Sequence, residues 1–478
     1  MPNIYVCDSL LVAAPSDAND GFDIFGINSL LTGASYNAAT RTLSGGTLAG
    51  NIPDLTACFI AVTGGTGWTA GLYQIESCDP VAGTIVFPNV AGVNTSTNNV
   101  PTCSTGALAT ITAALAKAPA TPALPYTSYG LNAAVQICLA PSGGVFSIDA
   151  TLALSVYGTA AFHNRIVPAL QTTGAINPPG LTARIQPSGT FTAGTPLVQL
   201  VTGTNPYYLE IDSIIFNGNA NGRQASHCFD ANTGNGDIAF TNCRFTAGSG
   251  NGLRIVSQRI QAHRCVTDAN LTHGVYATSS ANNNLRLDNC ESHSNSFEGF
   301  NIEGTSEGAA LIECLAHNNG RHGFSFVSSN RSTLVFRCIA AANAQHGFDL
   351  AAGVDLCLRG CVASGNGTTA SHRQFNFGGT SSVARTLTFD ANAAFAAGSA
   401  VITDATDLLP GQIITLAAAP LRNTAAAAFD GRLTGPARSA LRSTMRRRGG
   451  VGFPTVTDAP GLSAFSLGSS GERGVPRS

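Results

Sequence analysis

Six cysteines, Cys243, Cys265, Cys290, Cys314, Cys338 and Cys361, follow one another at intervals of 22, 25, 24, 24 and 23 residues. An interval that stays near two dozen is a repeat period, and it fits neither a zinc site nor a disulfide framework. Registering the chain on these cysteines exposes further columns. Apolar residues fall three and five positions before most of them, as in Leu285 and Leu287 before Cys290 or Ala309 and Leu311 before Cys314. Asn follows five positions after the cysteine in Asn270, Asn295, Asn319, Asn343 and Asn366, and Gly nine positions after it in Gly252, Gly274, Gly299, Gly323 and Gly347. Two apolar residues at alternating positions then close the unit, as in Phe300 and Ile302 or Phe324 and Phe326.

Alternation with period two over three to five residues specifies short strands, and apolar positions that never recur at three and four exclude a helix. Two strands per repeat are legible in this way. Asn tolerates the left-handed backbone that a tight corner needs, and Gly allows close approach at the next one. If each repeat is one coil, equivalent residues stack 4.7–4.9 Å apart in parallel strands. The cysteines then form an interior ladder of small apolar thiols, and the asparagines a ladder of side-chain amides. The expected fold class is all-β, a parallel solenoid of about 22–25 residues per coil with a small N-terminal β domain.

The coil pattern resembles the right-handed parallel β-helix of the pectate-lyase superfamily over residues 130–400. An earlier coil is readable at residues 208–217, where Ile214 replaces the cysteine and Asn219 falls on the Asn column. The segment Gly143-Gly144-Val145-Phe146-Ser147-Ile148 resembles the opening coil of that superfamily. Leu108, Ile111 and Leu115 share one helical face within 101–129, with Ser104 or Thr105 placed to cap and Pro119 to stop a short helix that would cover the open end of a solenoid. Residues 1–100 read as a small antiparallel β head, either a docking module or a cap; Cys7, Cys58, Cys78 and the adjoining Cys103 could pair on export, with partners that sequence alone does not assign. Residues 401–478 read as a C-terminal cap and a basic tail that includes Arg446, Arg447 and Arg448. Such a tail is a solvated segment or a contact for an acidic partner.

Charge narrows the partners. Residues 1–420 hold 15 Arg and Lys117 against 24 acids, a net of −8, which argues against nucleic-acid binding by the main body. No apolar run reaches the roughly 18 residues of a membrane span. The start, MPNIYVCDSLL, has no basic region ahead of an apolar one, so no cleaved secretory signal is expected.

Titratable residues gather in two columns. Three positions after the cysteine stand Asp268, His293 and His317, and one position before the glycine stand His273, Glu298, His322 and His346. Both columns flank the Asn turn, so these seven residues are expected to form one strip able to supply a general acid and base or to hold a metal pair. The plain alternative is turn chemistry copied by duplication. The superfamily offers comparisons. Its polygalacturonase-like members use clustered Asp near Gly-His-Gly, and Thr272-His273-Gly274 lacks the first Gly and the Asp cluster. Its pectate-lyase-like members bind calcium and use Lys or Arg as base, but Lys117 lies outside the coils, leaving Arg264, Arg286 or Arg321. A His- or Tyr-dependent lyase or epimerase, with Tyr276 near His273, survives better. Trp68 and a few aromatics could stack on sugars. The resemblance implies a noncatalytic or weakly catalytic surface or virion appendage that contacts polysaccharide, akin to phage tail spikes. Its alternative is a polysaccharide lyase, epimerase or hydrolase acting through the strip. No cofactor is expected, apart from calcium in a lyase. Homotrimers, common among tail spikes, are not specified by one chain's pattern.

Overall fold

The computed structural model describes, with short omissions, residues 3–7, 27–103, 111–117, 136–154, 163–200 and 207–377, and strands between 387 and 433. Ser104, Thr105, Leu108, Pro119 and the Arg446–Arg448 run lie outside the described residues. The chain divides into two compact units.

The first unit comprises Met1–Ser147, Leu152–Ile185 and Asn205–Ile215. Its head has two antiparallel sheets, one of four strands built around Thr42–Gly45 and Thr84–Val86, the other of three strands around Phe59–Gly64. Aromatic rings fill it. Trp68 meets Tyr36 at 4.8 Å and Phe87 at 4.9 Å, both edge-on, and its indole N–H donates to the Asn99 carbonyl at 2.6 Å. Trp68 is therefore a core residue, and the expectation that it stacks on sugars fails because its faces are taken by neighbouring rings. The same core takes in Cys138, Ala140, Val167 and Ala169. Cys138 and Ala140 belong to Gln136–Ala140, which pairs in parallel with Asn3–Cys7 on one side and Asn164–Pro168 on the other. The helix Ile111–Lys117 buries Ile111, Ala114 and Leu115. Of the head cysteines, Cys78 is half-buried, while the side chains of Cys7, Cys58 and Cys103 lie outside the described residues.

The second unit, Ile148–Thr151, Gln186–Thr204 and Phe216–Ser478, holds the regular coils. Each coil has three strands. A first parallel sheet runs through the strands ahead of the cysteines, such as Arg286–Asp288 and Ala310–Ile312. A second follows the cysteine directly, as in Val266–Asp268, Glu291–His293 and Leu315–His317. A third follows the glycine, as in Phe300–Glu303 and Phe324–Val327. The second sheet was not legible in the sequence. Its inward positions are the small Thr267, Ser292, Ala316, Ala340 and Ala363, and its outward positions are polar as often as apolar, so no alternation of large apolar residues marks it.

Inside, Phe300, Phe324, Phe348 and Phe375 stack at 5.0, 4.8 and 5.0 Å with rings within 8° of parallel. The thiols stack beside them. Cys290, Cys314, Cys338 and Cys361 each donate to a carbonyl of the preceding coil at 3.3–3.5 Å. Burial pushes the thiols of Cys265, Cys314 and Cys338 well above their ordinary range, which makes these three unreactive.

The corner between the second and third sheets depends on the asparagines, in a way that differs from the expectation. The left-handed residue is the one before each Asn, as in Ala269, Ser294, Asn318 and Ala342, with φ of 53–56°. The Asn itself turns inward and is almost fully buried. Asn319 Nδ2 donates to Asn343 Oδ1 at 2.9 Å, and the Asn319 backbone N–H reaches the same oxygen at 3.1 Å. That pattern repeats from Asn270 to Asn366, where Gln374 Oε1 accepts the last pair and Gln374 Nε2 returns a bond to the Asn366 carbonyl. Asn219 stands apart from the ladder, exposed in the small hairpin of Asn219–Ala220 and Arg223–Gln224. The glycine column is demanded by space. A Cβ at Gly323 would lie 2.7 Å from the Gly347 carbonyl oxygen and 2.8 Å from Asn343 Nδ2.

Asn319→Ala removes the acceptor of two Asn295 donors and is expected to cost about 1–3 kcal/mol for each donor left buried. Gly323→Ala is expected to cost about 1–3 kcal/mol through overpacking against backbone. Chemical denaturation of each variant, with an exposed Leu271→Ala as reference, measures both.

Candidate functional site

The seven expected site residues fall into two groups, one on each side of the Asn corner. Asp268, His293 and His317 lie in register on consecutive strands of the second sheet, on its outer face. His273, Glu298, His322 and His346 precede the third sheet at the far side of the corner. The single strip becomes two because the first column belongs to a strand, not to the turn.

In the first group, Asp268 is claimed by Arg244, whose Nε and Nη2 both lie 2.7 Å from its carboxylate, with Thr246 Oγ1 adding a third bond at 3.1 Å. Glu291, two positions before His293, was missed in the sequence although a strand places it on the same face. It is buried, and its Oε1 lies 2.8 Å from His317 Nε2 and 4.0 Å from His293 Nε2. The two imidazoles stack at 4.9 Å with planes 17° apart. Asn318 Nδ2 lies 2.8 Å from His317 Nδ1, and Ser294 Oγ 3.2 Å from His293 Nδ1.

In the second group, Glu298 is buried between an imidazole and a guanidinium. His273 Nδ1 lies 2.7 Å from its Oε2, an ion-pair approach without hydrogen-bond alignment, and Arg321 Nη1 lies 3.1 Å from Oε1. Burial works to raise the Glu298 carboxyl, but His273 and Arg321 hold it below its ordinary range. Around it stand Tyr276, stacked on His273 at 5.0 Å with its hydroxyl donating to Glu303 at 2.8 Å, and the exposed Phe297, with Arg321 5.5 Å from its ring centre. Arg321, considered as a base, is thus held by Glu298 and Phe297. Arg286 pairs with Asp288 at 3.2 Å.

His322 and His346 have a structural task that the sequence did not disclose. The His346 backbone N–H donates to His322 Nδ1 at 3.2 Å, and the Arg373 backbone N–H to His346 Nδ1 at 2.9 Å. His227 does the same for the Asn251 N–H at 3.1 Å. Each imidazole therefore replaces a carbonyl as the acceptor for the next coil, and must be neutral to do so. Burial lowers all three, His227 and His346 to about 4.

The sign of the pH effect follows. The unfolded chain takes up these protons near pH 6.5 and the folded chain only near pH 4, so protons favour unfolding between those limits. Stability is expected to be full above about pH 6.5 and to fall as pH drops toward about 4. Urea midpoints across that range measure it, and a His346→Gln variant is expected to show a shallower fall.

The model of the family described as "Right handed beta helix region" matches residues 257–404. No curated protein matches the chain. Among solved structures, ORF18 of Geobacillus virus E2 aligns at 12% identity over 59% of this chain and 60% of its own, with a TM-score of 0.38. The A-module of the Azotobacter vinelandii mannuronan C-5 epimerase AlgE4 aligns at 10% identity over 63% and 96%, with a TM-score of 0.35. The Dettilon tailspike protein aligns at 10% identity over 56% and 62%, with a TM-score of 0.31. The chain thus spans less than two thirds of the length of the virus protein and of the tailspike. With its three stacks of parallel strands and the family match across its most regular coils, the chain is a right-handed parallel β-helix repeat protein.

Proposed function

We propose that this β-helix is a noncatalytic surface or virion appendage that contacts polysaccharide along the coils around Cys265, Cys290 and Cys314. One observation supports the reading above others. The titratable side chains of the corner are engaged with one another from coil to coil, while an apolar ring, Phe297, stands 40% exposed in their midst. Acid–base catalysis needs groups converging on an open position, and here the carboxylates of Asp268, Glu291 and Glu298 are each already paired with a cation or an imidazole. Phe297 offers its face to the C–H side of a sugar ring, and Leu271, 52% exposed, widens the apolar patch. Arg321 beside that face suits a uronate or another acidic sugar.

A second reading, an epimerase or lyase, draws on Tyr276 and His273. Their stacked rings, with the Tyr276 hydroxyl on Glu303, are a phenol and an imidazole that could exchange a substrate proton. Burial and Glu303 raise the Tyr276 hydroxyl above its ordinary range, which weakens it as a base at neutral pH.

A panel of alginate, pectate, chondroitin and bacterial capsule separates the two. The scaffold reading expects binding of an acidic polymer without unsaturated products or new reducing ends, and about a tenfold loss of affinity in Phe297→Ala. Turnover abolished in His273→Ala or Tyr276→Phe would replace it with the enzymatic reading. Turnover lost in a His293→Ala/His317→Ala double variant would place the chemistry on the second sheet instead.

A further inference from the structure

We propose that Glu291, His293 and His317 form a binding site for a divalent transition metal ion, with Zn2+ as its natural occupant by ligand chemistry. The three ligand atoms lie within 4.8 Å of one another on the outer face of the second sheet. Two imidazoles and one carboxylate are a set that Zn2+ takes readily, whereas Ca2+ and Mg2+ prefer oxygen alone.

The orientation of the rings carries the inference. Both Nδ1 atoms are engaged away from the carboxylate, His293 with Ser294 Oγ and His317 with Asn318 Nδ2. Both Nε2 atoms face the same oxygen, Glu291 Oε1, at 4.0 and 2.8 Å. A histidine whose outer nitrogen is held by a neighbouring polar group while its inner nitrogen faces a carboxylate is arranged as metal-ligating histidines are. Metal entry moves the single ring proton of His317 from Nε2 to Nδ1. With Nε2 bound to the ion, that proton sits on Nδ1 and donates to Asn318, whose amide turns its oxygen inward. Ser294 Oγ is already placed to accept from His293 Nδ1.

The surroundings limit the ligand set to three. Asp268, one coil away in the same column, is spent on Arg244 and Thr246, so Arg244 is neutralised and the fourth position on the ion is left to water. Glu291 and His317 are almost fully buried and His293 is 24% exposed, so the ion enters past His293. Glu291 and His293 belong to one coil and His317 to the next, so the bound ion is a clip between adjacent coils.

The full chain titrated with Zn2+ by calorimetry, and with Co2+ by visible absorption, tests the site. One equivalent is expected to bind with the intense absorption of a four-coordinate Co2+ free of thiolate charge-transfer bands, and Zn2+ is expected to raise the unfolding temperature. His293→Ala and the near-isosteric Glu291→Gln are each expected to weaken binding by at least about tenfold and to abolish the temperature shift. His263→Ala, at a half-buried histidine outside the cluster, is expected to leave both unchanged. Affinity is expected to fall on acidification, because protons compete with the ion for the imidazoles. Unaltered binding in His293→Ala, thiolate bands with Co2+, or no stoichiometric binding by the wild type would each overturn the proposal. It stands or falls independently of polysaccharide contact, which these titrations do not involve.

Discussion

A short strand of three or four residues cannot hold its place alone, and the buried asparagine ladder is what keeps successive coils in step. Each Asn side chain offers one donor and one acceptor along the stacking direction, and each acceptor takes two donors from the coil before it. The corner backbone would otherwise leave polar groups buried without partners, at a cost comparable to the bonds lost. Gln374 ends the run with a longer amide that reaches both the last Asn side chain and its carbonyl. At the other end, Asn270 Oδ1 receives the Gly248 N–H at 2.9 Å and the Cys228 thiol at 3.6 Å. The ladder is thus closed at both ends by residues that break the repeat.

Everything outside that ladder inherits its spacing. Because the coils are in register, a residue type repeated in the sequence becomes a column at strand spacing, and columns of rings stack whether apolar, as with the phenylalanines, or polar, as with His322 and His346 at 4.9 Å. Columns of like charge would repel, and the chain avoids them by alternation. Asp268 follows Arg244, and Glu298 sits among His273, His322 and Arg321. The outer faces consequently carry polar groups that are bonded laterally, from coil to coil, before any ligand arrives. Such a surface presents fixed chemistry at a regular interval. Among the described residues, the Nε2 atoms of His293 and His317 face the Glu291 carboxylate across adjacent coils.

The repeat was legible because its markers are steric. Cysteine is small enough for the interior next to a tight turn, Gly299 and Gly323 admit no Cβ against the next carbonyl, and the apolar pairs of the first and third strands alternate openly. The second strand was hidden because its interior positions are Thr, Ser and Ala, which carry no hydrophobic signal, and its outer positions vary. That omission explains why Glu291 was missed and why Asp268, His293 and His317 were expected to share one strip with the column across the turn. Residues one and three positions after the cysteine share a face only if a strand runs between them. The histidines that accept backbone N–H groups were likewise beyond sequence reading, since His before Gly looks the same whether it serves a substrate or the next coil.

Taken by itself, the sequence determined the period, the parallel stacking, the interior thiol and amide ladders and the apolar columns, because each follows from a residue type recurring at a constant interval. The tertiary structure decided which polar side chains meet. It divided one expected strip into two groups, withdrew Trp68 into the head core and moved the left-handed turn one residue ahead of the asparagine. The physical reason is that a repeat fixes distances along the stacking direction, whereas the direction a side chain takes around the coil depends on where each strand begins and ends. That was set here by small residues and left-handed turns that carry almost no pattern of their own.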